Sequence, residues 1–307
     1  MNNKKSIPQR VLAYLKGNPI VVILTVVCLI VGFTVENFFS WGNFNNLASN
    51  TAVRFLIALG VSGCLITKGT DLSAGRQVGL AACIAGVLLQ RADYSGRMFP
   101  NMPEMNMIVV FIIVLALGAF VGIVNGVIIS KLNVPPFIAT LGTQTIVYGI
   151  ALVFTDAQPI GGFKKTYTQF VNGKILPMGE FPGLPYLLII AVIFGLFFWF
   201  MYNKTTHGKY MYAIGGNEVA AEVSGVNTVK SKILIYMTAG IMYALAGYLL
   251  AGKAGGATSA LGNGYELEAI AGCTIGGVST TGGIGTVGGV LVGVLVFELL
   301  KIVLQFL

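Results

Sequence analysis

Charge is scarce in this sequence. Asp, Glu, Lys and Arg make up 10% of its 307 residues, against about 25% in a soluble globular domain, so a water-facing surface on every side is excluded. Histidine occurs once, at His207, with no cysteine or carboxylate cluster around it, which leaves a metal or nucleophilic centre without partners. The four cysteines, Cys28, Cys64, Cys83 and Cys273, sit in apolar runs without CxxC spacing; neither a zinc site nor a redox pair follows. No GxxxxGK[ST] is present to cradle nucleotide phosphates, so any ATP that powers this protein is bound by another chain. Nor is there a DxD or DxxD that would hold a metal and a diphosphate. The chain is not expected to be an enzyme or to carry a cofactor.

What is abundant is apolar: 55% hydrophobic residues, 41 glycines and a mean hydropathy of +0.83. Uncharged segments near the ~20-residue length that spans a bilayer run at about 19–36, 51–67, 77–90, 106–130, 134–155, 184–202, 231–252, 265–281 and 284–307. These nine candidate spans predict an all-α polytopic membrane protein with one transmembrane domain over 1–307. The net charge of +8 fits basic cytoplasmic loops better than a nucleic-acid-binding face. Lys4, Lys5, Arg10 and Lys16 precede the first apolar run without a small-x-small cleavage site after it, which reads as an uncleaved first helix with a cytoplasmic N-terminus. On the resulting odd–even count, eleven basic residues fall inside and seven fall outside or in the tail, with Arg54 inside a span.

Two spans are short, and each follows a helix-breaking stretch, near 69–76 and at 255–264. They precede the third and eighth spans. An odd separation of five makes the halves inverted repeats, and paired interrupted segments in such halves point to a translocation path. The GxGxxG at Gly283, Gly285 and Gly288 lacks the strand and acidic residue of a dinucleotide fold. Gly285, Gly289 and Gly293 instead repeat every four residues, as in helices that approach closely in lipid.

Polar groups at membrane depth are costly and tend to face a pathway. The candidates are Asp71, Ser73, Arg76, Gln77, Asn125, Gln144, Glu266 and Glu268, with Arg54. Each has a structural reading too: Asp71 as a cap for the third helix, Asn125 and Gln144 as interhelical bonds, Arg54 as a snorkelling side chain. Glu266 and Glu268, two apart, would point to opposite sides of a helix. The long polar loop 203–232 holds a short helix over 217–224, with Asn217 as cap, Glu218 in the first turn and Gly225 as the stop, a segment suited to docking a soluble partner.

Thr67-Lys68-Gly69-Thr70-Asp71-Leu72-Ser73-Ala74-Gly75-Arg76-Gln77 resembles a motif in the membrane subunits of bacterial ATP-binding-cassette sugar importers. Ribose, xylose and arabinose members carry a looser Asp-Leu-Ser-x-Gly, and the fuller form here is similar to that of the galactose and methyl-galactoside class. Asn133-Val134-Pro135-Pro136-Phe137, Tyr212-Ala213-Ile214-Gly215-Gly216-Asn217-Glu218, Val223-Ser224-Gly225-Val226 and Tyr265-Glu266-Leu267-Glu268-Ala269 extend the resemblance over nearly the whole chain. It implies a homodimeric pore of about ten helices per subunit in the bacterial inner membrane, driven by a separate ATPase and fed by a periplasmic or lipid-anchored sugar-binding protein. The residues Gly215, Gly216, Asn217, Glu218, Ala221, Ser224 and Gly225 would then couple to the ATPase. Members of the family usually carry a further helix near the end; here the chain stops at Leu307 within its ninth span, so that helix is expected to be missing. An autonomous secondary transporter for a small polar solute is the alternative. It would need buried ionisable residues for ion coupling, and Asp71 is the one strong candidate.

Overall fold

The computed structural model describes residues 38–177 and 181–306, together with positions 26, 30, 32 and 33. Eleven helices lie among them: α1 (Trp41–Ile66), α2 (Ala74–Leu88), α3 (Met107–Lys131), α4 (Pro136–Phe154), α5 (Lys165–Val171), α6 (Tyr186–Lys204), α7 (Thr206–Gly216), α8 (Glu218–Val223), α9 (Thr228–Ala254), α10 (Tyr265–Ile275) and α11 (Val287–Phe306). A two-residue antiparallel hairpin, β1 (Lys174–Ile175) with β2 (Leu184–Pro185), is the strand pairing of the loop before α6. Six helices, α1, α3, α4, α6, α9 and α11, are long and apolar enough to cross a membrane, and α2 is a shorter apolar helix. With α2, seven of the nine expected spans are accounted for; the span expected over 265–281 is the 11-residue α10, which ends at Ile275 and is too short to cross a bilayer. The first, 19–36, falls almost wholly outside the described residues.

Local chemistry sets the ends. Asn106 caps α3 by accepting from the Ile108 N–H at 2.8 Å, and Asn227 caps α9 by accepting from Lys230 N–H at 2.8 Å. Pro136 opens α4 at a position where a missing N–H costs nothing. Gly255, at φ +68°, ends α9 in the left-handed conformation that a side chain disfavours. The start of α1 differs from the expected 51. Ser40 accepts from the Asn43 N–H at 3.2 Å, so the polar residues before 51 form the first turns of a helix that begins at Trp41.

The helix α1 is antiparallel to α9: Asn50 meets Lys253, Gly60 lies against Ala239 and Tyr243, and Gly63 against Ile235. Each is followed by a non-helical break, 67–73 after α1 and 255–264 after α9, then by a shorter helix (α2 or α10) and a long one (α3 or α11). The pairing is also exchanged, since α3 packs along α9 and α11 along α1. Two halves of the same order and opposite direction therefore surround the antiparallel pair α1 and α9, the arrangement of inverted repeats.

Glycine ridges allow the closest approaches. On α3, Gly118, Gly122 and Gly126 face Gly240, Tyr236 and Ile233 of α9 so closely that a methyl group on any of them would overlap α9 backbone. Gly289 and Gly293 of α11 pack in the same way on Gly276 and Gly272 of α10. The expected repeat of Gly285, Gly289 and Gly293 thus packs helices at its last two positions, whereas Gly285 precedes α11 and lies against Ile66 and Val278. With little hydrophobic drive between helices in lipid, such contacts supply much of the association energy.

At one end of the bundle, the loops 89–106 and 155–185 and the second break are joined by bridges between Gln90 and Phe163 and between Ile160 and Ala257. The opposite end carries α7, α8 and the 132–135 turn. The loop 203–232 holds two helices where one was expected. The second, α8, lies within the expected 217–224; the first, α7, begins where Thr205 accepts from Gly208 N–H at 3.3 Å.

Candidate functional site

The first break is held by a connected set of buried side chains centred on Ser73. Its hydroxyl donates to Asp71 Oδ1 at 2.5 Å and accepts from Gln77 Nε2 at 2.8 Å and Asn125 Nδ2 at 2.9 Å. A hydroxyl has one proton and two lone pairs, so every hydrogen-bonding capacity of Ser73 is used. Asp71 Oδ1 also accepts from the Ser73 N–H at 2.9 Å, and Asn125 Oδ1 accepts from Thr143 Oγ1 at 2.6 Å. Thr140 adds a second tie from α4, donating to Thr70 O and accepting from Leu72 N–H, both at 3.1 Å. The freed backbone of the break thereby finds partners inside the protein, as non-helical chain at membrane depth must.

Asp71 is 1% exposed, and among the described residues no cation forms an ion pair with it. Arg76, five residues on, lays its guanidinium over the Tyr148 ring of α4, 4.0 Å from the centroid. That contact is favourable because the ring face is electron-rich, and α2 turns Arg76 away from the break. Tyr236 and Tyr243, seven residues apart on one side of α9, turn buried hydroxyls toward Asp71, and that of Tyr243 comes within hydrogen-bonding reach of its carboxylate. Gln144, half-buried one position beyond Thr143, makes no hydrogen bond to the network; a 100° step around α4 separates the two.

The second break packs on the first half. Gly75 and Gly79 of α2 sit against Gly262 O and Leu261 O, and Gly75 also lies against the Glu266 carboxylate, with no room for a side chain at either glycine. The N-terminal ends of α2 and α10 consequently meet. Glu266 and Glu268 do diverge: Glu266 faces α2, whereas Glu268 faces α1 and α11. Glu268 Oε2 pairs with Arg54 Nη1 at 2.9 Å and its Oε1 with Lys301 Nζ at 2.5 Å. Arg54 further pairs with Glu298 and sits 4.3 Å from the Tyr265 ring centroid. Arg54 is therefore held in a charged cluster of α1, α10 and α11 and does not snorkel, and Lys301 belongs to this cluster within a helix. Glu298, 2% exposed, was not among the expected polar residues. Its spacing of three from Lys301 on an apolar helix was the available signal. Thr140, Thr143 and the two tyrosines gave none, since single hydroxyls in apolar runs are ordinary.

At the α7–α8 end, Gly215 lies against the Ile66 carbonyl at the foot of α1, again without room for a side chain, and Lys68 Nζ donates to Gly216 O at 3.4 Å. Asn217 caps α8 by accepting from Ala220 N–H at 3.0 Å, and Ser224 Oγ donates to Ala220 O at 2.7 Å. Gly225, at φ +87°, closes the helix. Ala221 is buried, Val219 and Val223 are exposed, and Glu218 is tied to Lys232 of α9 at 2.6 Å. Desolvation lowers the His207 imidazole pKa from its ordinary value, so it is neutral at pH 7. These contacts join this end to the start of the first break. A groove of about 480 Å³, lined by Lys68, Gly69, Pro136, Glu218, Glu222 and Tyr236 among others, opens from it to the floor of that break.

Long apolar helices, inverted halves and a polar break reached by a groove define a multi-pass membrane transport protein. Residues 43–307 match the family described as "Branched-chain amino acid transport system / permease component", and the chain belongs to that family of permease subunits; it is not an enzyme. It is 47% identical over 302 residues to the galactose/methyl galactoside import permease protein MglC of Escherichia coli, covering 97% of this chain and 88% of that one. The protein of the same description from Haemophilus influenzae is also 47% identical, over 94% of this chain and 86% of its own. The ribose import permease protein RbsC of Escherichia coli is 34% identical over the same shares. No solved structure matches.

Proposed function

We propose that this chain is the membrane-spanning subunit of an ATP-driven importer for galactose and methyl galactosides, in the bacterial inner membrane with its N-terminus and the α7–α8 loop on the cytoplasmic side. The observation that carries the reading is the near full-length 47% identity to the galactose/methyl galactoside import permeases. The chain supplies no nucleotide site of its own, so a separate ATP-binding-cassette ATPase is the partner on the α7–α8 face. There Gly216, Val219, Val223, Ser224 and Gly225 are exposed, while Gly215 and Ala221 anchor the loop. A sugar-binding protein delivers substrate at the opposite end, and a second copy of the chain completes the pore. The break formed by Asp71, Ser73, Gln77 and Asn125 belongs to the wall of the path and is kept in shape by its hydrogen bonds. Uptake of labelled galactose into proteoliposomes enclosing ATP tests this, with the ATPase and binding protein present or omitted and leucine as comparator. Galactose uptake that needs all three components is expected. Uptake driven by an ion gradient without the ATPase would favour the secondary-transporter alternative, and uptake of leucine alone would overturn the sugar assignment.

A further inference from the structure

The helix α9 carries one continuous stripe from the α7–α8 end to the first break. Lys232, Tyr236 and Tyr243, four and then seven residues apart on α9, fall within about 40° of one another at 100° per residue. Lys232 pairs with Glu218, in the first turn of α8, at 2.6 Å. Tyr236 is 1% exposed, and its hydroxyl lies on Gly69 so closely that a side chain there would overlap it. Tyr243 packs on Gly60 of α1 and brings its hydroxyl to Asp71. One face of one helix thus touches α8, the start of the break and the buried carboxylate in turn.

Two observations give this stripe room for a second arrangement. The groove of about 480 Å³ separates Glu218, Val219 and Glu222 of α8 from the 133–136 turn, and Lys232 and Tyr236 line the same groove. The helix α8 therefore has open space to move into, with the stripe along its wall. The Tyr236 hydroxyl is the second. It is buried and has no hydrogen-bond partner among the described residues, a state that native structures rarely keep without a reason, while Asp71 is within electrostatic reach.

We infer that Lys232 and Tyr236 are positioning residues that carry movement of α8 to the first break. The ion pair makes α9 follow α8, and Tyr236 exchanges its unpartnered state for a hydrogen bond to Asp71 as the path changes access. Gly60 and Gly69, without side chains, leave α9 free to slide past α1. A rigid element with two arrangements, biased from one site and felt at the other, is the physical basis that such coupling requires. This rests on the ATP-driven reading above.

The experiment uses the complete complex of permease, ATPase and binding protein in proteoliposomes and measures ATP hydrolysed per galactose imported. Wild type, with and without the ATPase, tests the ATP-driven reading by itself; should another sugar be the cargo, only the galactose assignment fails and the same ratio is read with that sugar. Lys232→Met is expected to raise the ratio about fivefold with ATPase co-purification unchanged. Glu218→Met is expected to raise it as much, the double variant no further than either, and Glu218→Lys with Lys232→Glu is expected to restore part of the wild-type ratio. Tyr236→Phe removes an unpartnered hydroxyl, so its thermal stability in detergent is expected to equal or exceed that of wild type while uptake falls at least threefold. A purely structural role would lower stability and uptake together. With an ATP-dependent wild type, unchanged ratios in Lys232→Met or unchanged uptake in Tyr236→Phe would overturn the inference. Additive effects in the Glu218–Lys232 pair would do so too, as would a loss of stability in Tyr236→Phe in step with its loss of uptake.

Discussion

Ser73 shows how much a single hydroxyl can organise at membrane depth. It joins the break to α2 through Gln77 and to α3 through Asn125, and from there to Thr143 on α4. Ser73→Ala leaves a carboxylate and two amides short of a partner inside the bundle. Each such buried group costs about 1–3 kcal/mol, so a marked fall in thermal stability in detergent is expected, larger than for Thr143→Val at the edge of the network. Asp71→Asn keeps an acceptor for both Ser73 donors and is expected to keep nearly full transport, whereas Asp71→Leu removes it and is expected to lose both stability and flux. Equal loss in Asp71→Asn and Asp71→Leu would show that the charge itself is needed. The sequence made Asp71, Ser73, Gln77 and Asn125 visible because polar residues are conspicuous in apolar runs. Their partners were not visible. Which side chain meets Asp71 depends on helix rotation, and α2 sends Arg76 to Tyr148 instead.

At the scale of helices, association rests on small residues and on one cluster of charge. Gly122 touches α9 backbone, while Gly142 and Gly149 of α4 have open space around them. Gly122→Leu is expected to force α3 and α9 apart and to destabilise by about 1–3 kcal/mol or more, whereas Gly142→Leu is expected to be neutral within ±0.5 kcal/mol. Thermal unfolding of the two variants in the same detergent checks the contrast. The charged cluster joins α1, α10 and α11. Arg54→Met leaves Glu268 and Glu298 with Lys301 alone, and breaking such a buried pair costs about 3–5 kcal/mol. Combining it with Glu298→Met is expected to recover part of that loss, and strictly additive losses in the double variant would show that the two side chains do not depend on each other. Span positions were legible from hydropathy to within a few residues for α3, α4 and α6. The early start of α1 and the existence of α7 were not, because caps at Ser40 and Thr205 turned polar stretches into helix where hydropathy alone reads loop.

For the whole molecule, the inverted halves place α8 and the 155–185 loop at opposite ends. The helix α9, 27 residues long and so about 40 Å, begins beside α8 and ends beside α5. Single cysteines at Lys165 and Lys230, in a chain without the native cysteines, are expected to react with an impermeant reagent from the outside and the cytoplasmic side respectively. Labelling of position 230 from outside would invert the topology and remove the ATPase from α8. The inverted order was legible in the sequence as two breaks five spans apart. The meeting of the two breaks through Gly75, Gly79 and Gly262 was not, since it arises only when the halves close on each other. The most direct test of the account is whether sugar delivery at one end drives ATP hydrolysis at the other through this chain. In nanodiscs holding the permease with its ATPase, galactose-loaded binding protein is expected to raise the hydrolysis rate several-fold, and Gly216→Trp on the exposed coupling face is expected to abolish that rise while the permease remains inserted. A hydrolysis rate indifferent to the loaded binding protein, or a full response in Gly216→Trp, would contradict it.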